Sequence, residues 1–308
     1  MKSQPVRFIN RYTGAVETEP VHGEGWLRWL YESGTGQVAL HALVKRSFLS
    51  RWYGWRMDRP SSRARIAPFI ARYGIDASHF SLPPSAYLSF NHFFHRALAD
   101  GVRPIDPGER SVVFPADGRH LAFENIDTAD GFLVKGDKFT VAEPLADERA
   151  GEAFKGASMV ISRLCPTDYH RFHFACSGVA GTARLVRGPL FSVNPIALRR
   201  SVRYLAQNKR VVTMLKSPTF GTVAIVEIGA TMVGGIVQTY PPGAVRKGDE
   251  KGYFKFGGSC VITLFQHGLV RFAGDILENT AAGLETHARM GDRLGIAHGV
   301  DSDAESIR

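Results

Sequence analysis

Phe254-Lys255-Phe256-Gly257-Gly258-Ser259-Cys260 sets two glycines and a serine into strand-like, apolar sequence. Glycine normally weakens the interior of a strand, so the pair needs a reason. One reason is that the peptide bond between Gly258 and Ser259 is itself reactive, because a residue without Cβ permits strained backbone. The structural alternative is a bulge or a turn, for which glycine is equally suited.

The serine hydroxyl is placed to attack the carbonyl that precedes it. An N→O acyl shift would give an ester, β-elimination would break that ester, and hydrolysis of the resulting dehydroalanine would leave a pyruvoyl group. Ser259 would then become the N-terminus of a new chain and carry a cofactor made from its own atoms. A hydroxyl is a poor nucleophile near neutral pH, so this chemistry also requires an adjacent base.

Two other segments supply an acid and a base. Asp117 lies in Phe114-Pro115-Ala116-Asp117-Gly118, where the alternative is an ordinary Asx turn before glycine. His170 and His173 lie in the aromatic segment 168–174, where the alternatives are a surface histidine for His170 and a core histidine for His173. Residues three apart face opposite ways on a strand and the same way on a helical turn.

These three segments, in this order and spacing, resemble the phosphatidylserine decarboxylase family, whose motifs are Pro-x-Asp-Gly, Tyr-His-Arg-x-His and a Gly-Ser cleavage site. The resemblance runs from about residue 10 to about residue 298 and includes segments 89–96, 135–136 and 228–234. Three residues depart from the family pattern: His92 replaces a usual Glu, Lys209 lies in an Asn-Glu-Arg-like stretch, and Cys260 replaces Thr or Ser. None of these changes removes a reactive atom.

The resemblance implies pyruvoyl-dependent decarboxylation of phosphatidylserine to phosphatidylethanolamine and CO₂. It implies self-cleavage between Gly258 and Ser259 into a β chain, residues 1–258, and an α chain, residues 259–308. By the same resemblance His173 is the base that activates Ser259, Asp117 orients His173, and His170 handles the substrate. A homodimer is left open.

The resemblance also directs attention to the lipid phosphate. Arg171, Lys135 and Arg210 are candidates for binding it, but the chain has 38 lysines and arginines, so the choice among them is weak. No metal is implied, and the three cysteines show no Cys-x-x-Cys spacing. Their odd number fits a reducing compartment rather than a disulfide framework.

Two other functions compete with this interpretation. A serine hydrolase could use an Asp117/His173/Ser259 triad, but the serine lacks the Gly-x-Ser-x-Gly elbow and lies within predicted strand. A non-catalytic basic protein that binds nucleic acid or membranes would fit the formal charge of +9, although no nucleic-acid motif accompanies it. We therefore expect no nucleic-acid partner.

The charge is concentrated near the N-terminus. Residues 43–72 contain eight basic residues against one acid, Asp58, and include Trp52, Tyr53 and Trp55. Basic residues mixed with aromatic ones suit the headgroup region of an anionic membrane, whereas the alternative is a solvated basic face. With no apolar run long enough to span a bilayer and no signal-peptide pattern, we expect a cytoplasmic protein bound peripherally to the cell membrane.

The fold expected from these patterns is α+β. Residues 1–104 read as a helical, basic, membrane-facing region, with helices near 25–32, 37–53, 61–74 and 89–99. Residues 105–308 read as a mainly antiparallel, β-rich catalytic domain in which only 194–207 looks helical.

Overall fold

A computed structural model describes residues 5–21, 23–44, 47–127, 140–231 and 235–298. Lys45, Arg46, Lys135, segment 232–234 of the family motif and the C-terminal tail 301–308 lie outside these ranges. The helices are α1 (Glu24–Glu32), α2 (Gly34–Ala39), α3 (Ser47–Asp58), α4 (Ile66–Tyr73), α5 (Phe90–Phe94), α6 (Ala142–Leu145), α7 (Glu148–Ala153), α8 (Pro195–Leu198), α9 (Tyr204–Gln207) and α10 (Gly274–Ala281). A π-helical turn spans Leu40–Val44, and 3₁₀ turns span Pro60–Arg65, Ala77–His79 and Pro84–Ala86.

The strands confirm the α+β class, with pairing that is almost entirely antiparallel. They are β1 (Arg7–Asn10), β2 (Val16–Thr18), β3 (Ser111–Val113), β4 (Gly118–Phe123), β5 (Ser158–Leu164), β6 (Arg171–His173), β7 (Gly178–Ala180), β8 (Arg184–Val186), β9 (Arg210–Ser217), β10 (Gly221–Gly229), β11 (Ile236–Gln238), β12 (Gly243–Val245), β13 (Glu250–Phe254), β14 (Ser259–Phe265), β15 (Val270–Phe272), β16 (Glu285–Ala288) and β17 (Arg293–Ala297).

The sequence suggested that the N-terminal hundred residues are helical, but they also contain strands. β1 and β2 belong to the large sheet, where β1 pairs in parallel with β16 near the C-terminus. The helix expected over 37–53 is broken into α2, the π-helical turn and α3, and the last helix ends after Phe94 rather than near residue 99. Its start is as expected, because the Ser89 side chain accepts a hydrogen bond from the backbone of His92 and caps it.

Helices also occur in the second part of the chain beyond the one segment expected. The 194–207 segment forms two short helices, α8 and α9, and α6, α7 and α10 add to them. α10 follows β15 directly, and its Ile276 is buried in the main hydrophobic core. The helical pattern in α6 and α7 is too short for sequence periodicity to reveal it.

β14 occupies the middle of the large sheet. The strand order is β12-β7-β9-β10-β14-β5-β4-β16-β1-β2, with β8 also paired to β9. All seven residues of β14 pair with both β10 and β5, and all are buried. The strand that begins with Ser259 is therefore the most enclosed strand of the sheet.

A small sheet of β11, β13 and β6 packs against the large one. Lys251 on β13 forms an ion pair with Glu227 on β10 (Nζ to Oε1, 2.7 Å), and both side chains are wholly buried. Gln238 on β11 completes this group, since it accepts from Lys251 at 2.6 Å and donates to Glu227 at 3.1 Å. The predicted cleavage segment thus connects a strand of the small sheet, β13, to the central strand of the large sheet.

The helices before residue 104 pack over this connection. An aromatic cluster of Phe69, Phe90, Phe93 and Phe94 takes in Phe256 from the cleavage segment. The Phe256 ring lies 5.2 Å from that of Phe90 and 4.9 Å from that of Phe94. The N-terminal helices therefore hold the segment in place from outside the two sheets.

Candidate active site

Four neighbouring strands of the large sheet begin or end in one row. β4 begins at Gly118, β5 ends at Leu164, β14 begins at Ser259, and β10 ends at Gly229; Ser259 pairs directly with Leu164 and Gly229. Asp117 precedes the first of these residues, so it reaches the same edge of the sheet as Ser259. Two strand spacings separate them, roughly 10 Å.

The serine at the predicted cleavage site is buried and unpaired. Ser259 has no exposed surface, and its Oγ has no hydrogen-bond partner among the residues that the structure describes. A buried hydroxyl without a partner is costly, which is a property of functional sites more often than of structural ones. Its free lone pairs and proton leave the hydroxyl available for chemistry.

The strained backbone lies one residue earlier than the sequence suggested. Gly257 has a φ of 135°, which residues with a Cβ rarely adopt, whereas Gly258 is not among the glycines of positive φ. A Cβ built on Gly258 would meet Val193 Cγ2 at 3.7 Å, an ordinary contact. The requirement for glycine is therefore conformational at Gly257 and weak at Gly258.

His170 is the predicted site residue that lies beside the cleavage segment. Its ring is wholly buried against Phe94, with ring centres 4.0 Å apart, and its backbone carbonyl accepts from Phe254 at 2.9 Å. Burial lowers the pKa of His170 to about 4, an effect that the backbone carbonyls of Asp168 and Gly257 partly oppose. The imidazole is therefore neutral at physiological pH.

The tautomer of His170 follows from its contacts. Nδ1 lies 3.0 Å from the Asp168 carbonyl, which can only accept, so Nδ1 carries the proton. Nε2 is left with its lone pair and has no partner of normal geometry within the described ranges. His170 thus holds a nitrogen without a hydrogen bond of normal geometry in the interior, and the Gly257 backbone acts on the same ring.

His173 has a different environment. Its Nδ1 lies 3.0 Å from the Gly248 carbonyl, and its Nε2 lies 3.2 Å from the Tyr169 hydroxyl. The carbonyl again fixes the proton on Nδ1, so the tyrosine donates to Nε2. Burial lowers the pKa of His173, and the charges of Glu250 and Asp117 oppose this shift.

No hydrogen bond joins Asp117 to His173 in the described part of the chain, although Asp117 was expected to orient that ring. Its carboxylate accepts three hydrogen bonds from Arg103, from Nε to Oδ1 at 2.9 Å and to Oδ2 at 3.1 Å and from Nη2 to Oδ2 at 2.5 Å, and one from the Met290 amide at 2.9 Å. A planar guanidinium matches a carboxylate better than an imidazole does. Gly248 supplies the orientation that was expected from Asp117.

Sequence reasoning missed Tyr169, Gly248 and Arg103 as neighbours of the site. Tyr169 could have been found, since it belongs to the Tyr-His-Arg-x-His motif next to the two histidines. Gly248 acts through its backbone and Arg103 through a contact across fourteen residues, so neither leaves a signal in the sequence. Of the arginines expected near a phosphate, Arg171 pairs with Glu250 at 2.6 Å.

The other candidate, Arg210, is also engaged. Its Nε donates to the Pro144 carbonyl at 2.6 Å, and its other nitrogens donate to the carbonyls of Glu143 and Asn208. Arg171 and Arg210 are therefore occupied by protein groups. Neither is favoured as a phosphate ligand in this conformation.

A cavity of about 260 Å³ opens beside the cleavage segment. Gly257 and Gly258 form part of its wall, whereas Arg163, Ser192 and Asn194 supply polar groups. Its apolar wall consists of Val21, Trp26, Leu27, Leu30, Tyr53, Val193 and Phe256. The scissile bond is therefore next to a mostly apolar cavity formed partly by α1 and α3, a typical composition for a site that takes an amphipathic ligand.

Exposed tryptophans lie on the two helices that border this cavity. Trp26 and Trp29 of α1 are 50% and 38% exposed, and Trp52 and Trp55 of α3 are 51% and 52% exposed. Arg59 stacks on Trp55, with Cζ 4.1 Å from the ring centre. None of the helices in the described part of the chain is both long and apolar enough to cross a membrane.

Comparison with known proteins gives a consistent result. A family model described as phosphatidylserine decarboxylase matches residues 90–296. A protein of Fusobacterium nucleatum named phosphatidylserine decarboxylase proenzyme is 45% identical over 96% of this chain and 99% of its own length. Proteins of the same name from Chlamydia muridarum and Desulfitobacterium hafniense are 43% and 40% identical over 96% and 95% of this chain, and 98% and 99% of their own lengths.

Proposed function

The chain belongs to the phosphatidylserine decarboxylase family and is an enzyme of the decarboxylase class, and we propose that it acts on phosphatidylserine through a pyruvoyl group made from Ser259. The observation that carries this proposal is the buried, unpartnered Oγ of Ser259 beside the strained Gly257. The proenzyme name of its relatives is in keeping with self-cleavage.

Maturation requires three steps on the chain itself. The Ser259 hydroxyl loses its proton to a base and attacks the Gly258 carbonyl carbon, and the peptide C–N bond breaks to leave an ester. A base then removes the Ser259 Cα proton while the Gly258 carboxylate departs, which leaves dehydroalanine at the new N-terminus. Water hydrolyses this enamine to the pyruvoyl group and releases ammonia.

We propose His173 as the base for maturation, assisted by the charge of Asp117. The neutral ring and the proton held on Nδ1 by Gly248 leave Nε2 as the basic nitrogen. Tyr169 occupies that nitrogen in the uncut chain, so its hydroxyl must turn away or relay the proton. The negative charge of Asp117 favours the protonated form of His173 without a hydrogen bond between the two side chains.

We propose that His170 serves the decarboxylation. Its unpartnered Nε2 lies close to the segment whose cleavage exposes residue 259. When formed, the pyruvoyl carbonyl supplies an electron sink for the carbanion left by loss of CO₂. In this proposal His170 exchanges a proton with the reacting carbon, and its burial against Phe94 limits access of water to the ring.

The lining of the cavity beside Gly258 suits an amphipathic substrate. Its apolar wall suits the glycerol backbone and the first part of the acyl chains, whereas the polar groups in the same wall suit the serine headgroup. Trp26 and Tyr53 come from the helices that carry the exposed tryptophans, so the cavity lies next to the surface expected to meet the membrane. We propose peripheral attachment through residues 43–72, extended by the tryptophans of α1.

The self-cleavage is tested by the intact mass of freshly purified protein. We expect two chains, ending at Gly258 and beginning with a pyruvoyl group from Ser259, and a single uncut, inactive chain for Ser259→Ala. Cys260→Thr, which restores a residue usual in the family, serves as the matched control and should still cleave. A fully active preparation that contains only the full-length chain would refute the proposal.

Membrane attachment is tested by co-sedimentation with anionic vesicles across a salt series. Trp52→Ala/Trp55→Ala should weaken binding, most visibly at high salt, because apolar insertion is not screened by ions. Leu185→Ala, which removes an equally exposed apolar side chain on β8, is the control and should bind normally. Equal binding by all three proteins would place the membrane contact elsewhere.

The serine hydrolase alternative is not favoured. A hydrolase needs its nucleophile exposed to an external substrate and a base that an acid holds in place. Ser259 is fully buried, and Asp117 binds Arg103 instead of His173. The nucleic-acid alternative has no support from the family to which the chain belongs.

A further inference from the structure

A second cavity, of about 180 Å³, lies on the other side of the turn that joins β5 to β6. Cys165 and Pro166 of this turn face the cavity beside Gly258, whereas Thr167, Asp168 and Tyr169 face the second one. The wall of the second cavity does not include the cleavage segment. The two cavities are therefore distinct spaces separated by a few residues.

A buried arginine lines the second cavity with most of its donors unused. Arg96 is only 4% exposed, and its guanidinium carbon lies 4.9 and 5.0 Å from the ring centres of Phe80 and Phe93. Nη2 donates to the Thr167 carbonyl at 3.2 Å, but Nε and Nη1 have no hydrogen-bond partner among the residues described. Burial of a cation with unpaired hydrogen-bond donors costs free energy unless an anion binds to those donors.

None of the carboxylates that line the cavity accepts a hydrogen bond from Arg96 in the described part of the chain, although Asp117 and Asp168 act on it through charge. Asp117 is bound by Arg103, and Asp168 is bound by Arg119 at 2.6 Å. Asp76, at the exposed side, accepts from the backbone and hydroxyl of the neighbouring Ser78. Each acid thus has its own hydrogen-bond partners, and the Nε and Nη1 donors of the buried guanidinium are left without an acceptor among the residues described.

Two more groups face the same space. His287 lines the cavity, and its Nδ1 is buried without a partner in the described part of the chain. Arg289 lies at the exposed side, where it stacks on Tyr12 with Cζ 4.7 Å from the ring centre. Together with Arg96 they form a set of nitrogen donors around an enclosed space large enough for a small tetrahedral ion.

We propose that this second cavity is a binding site for a phosphate-class oxyanion, held by Arg96 and Arg289 with His287 as a further donor. Charge-assisted hydrogen bonds from guanidinium groups are the strongest that a protein offers to such an ion. The ion comes either from solution, as inorganic phosphate, or from the phosphodiester of a lipid headgroup. The site rests on the cavity and its donors and does not depend on self-cleavage.

Calorimetric titration of the uncut Ser259→Ala chain with inorganic phosphate tests the site. We expect saturable binding that is weakened about 10-fold or more by Arg289→Gln and by Arg96→Lys, since each removes donors to a charged group. Arg271→Gln, which removes an exposed arginine on β15, is the matched control and should leave the affinity unchanged. If Arg96→Lys fails to fold, Arg289→Gln decides the question.

The source of the ion is identified by a second titration, with glycerophosphoserine. Competition with phosphate, together with weakening by Arg289→Gln, assigns the site to the lipid headgroup, whereas binding of phosphate without competition assigns it to the free ion. Absence of phosphate binding at millimolar concentration, or affinity that neither variant changes, would overturn the proposal. Because the uncut chain is used, these outcomes are independent of whether maturation proceeds as proposed.

Discussion

Removal of one partner of the buried ion pair between Lys251 and Glu227 is expected to destabilise the protein strongly. Lys251→Met leaves a wholly buried carboxylate beside apolar rings, with only Gln238 to bind it. Loss of one partner from such a pair costs about 3–5 kcal/mol. At roughly 2–4 °C per kcal/mol for a chain of this size class, the melting temperature should fall by about 6–20 °C.

The double variant Lys251→Met/Glu227→Leu separates the pair from the residues themselves. A buried ion pair replaced by apolar groups of similar volume is often close to neutral, so most of the lost stability should return. Urea and thermal unfolding of both variants, in the Ser259→Ala background, keep the measurement on a single uncut chain. The burial that raises the pKa of Glu227 is the physical origin of the expected cost.

Lys255→Met is the matched control for this experiment. Lys255 lies four residues further along, pairs with Asp58 at 3.2 Å, and is one-third exposed. Surface pairs of this kind contribute about 1 kcal/mol or less. If Lys251→Met lowers stability no more than Lys255→Met does, or if the double variant simply adds two losses, the role assigned to the buried pair is wrong.

The histidines, the glycines and the response to acid give three further tests. Gel analysis with a CO₂ assay should show uncut chain for His173→Ala, but cleaved and inactive protein for His170→Ala; normal cleavage of His173→Ala would reassign the base. Gly257→Ala should fold less stably than Gly258→Ala in thermal melts, because only Gly257 has a positive φ; equal melting would remove strain from the account. His170 has a pKa of about 4 when folded and near 6.5 when unfolded, so the folded chain binds fewer protons. Stability should therefore fall by roughly 3 kcal/mol as the pH drops from 6.5 to 4, and His170→Gln should reduce that dependence in urea titrations.

The parts of the fold that the sequence revealed are those with a strong local signal. Short β-branched runs predicted the β-rich character of residues 105–308, and Ser89 predicted the start of α5. The candidate site residues stood out because their motifs are short and contiguous. Where the local sequence pattern determines the local structure, that structure can be predicted from the sequence.

The parts that were missed depend on contacts between distant segments. β1 forms a strand because it pairs with β16, which lies near the other end of the chain. No local sequence pattern predicts that pairing. Asp117 was expected to orient His173, but the nearby guanidinium of Arg103 binds it more favourably. The strain at Gly257 rather than Gly258 likewise follows from how two sheets are joined, which the dipeptide alone does not specify.

The central position of β14 has a consequence for refolding after the proposed cleavage. With the proposed cut before Ser259, the strand that completes the sheet would belong to a separate polypeptide, which would also carry β16 and β17 and their pairings with β4, β1 and β3. Because these strands pair with strands before residue 259, we expect the two chains to stay associated for as long as the sheet is folded. After full denaturation, reassembly would then be a second-order reaction between two fragments, because the main hydrophobic core draws residues from both sides of the cut. We therefore expect the uncut chain to be the form that folds, and the cleaved protein to persist through slow unfolding.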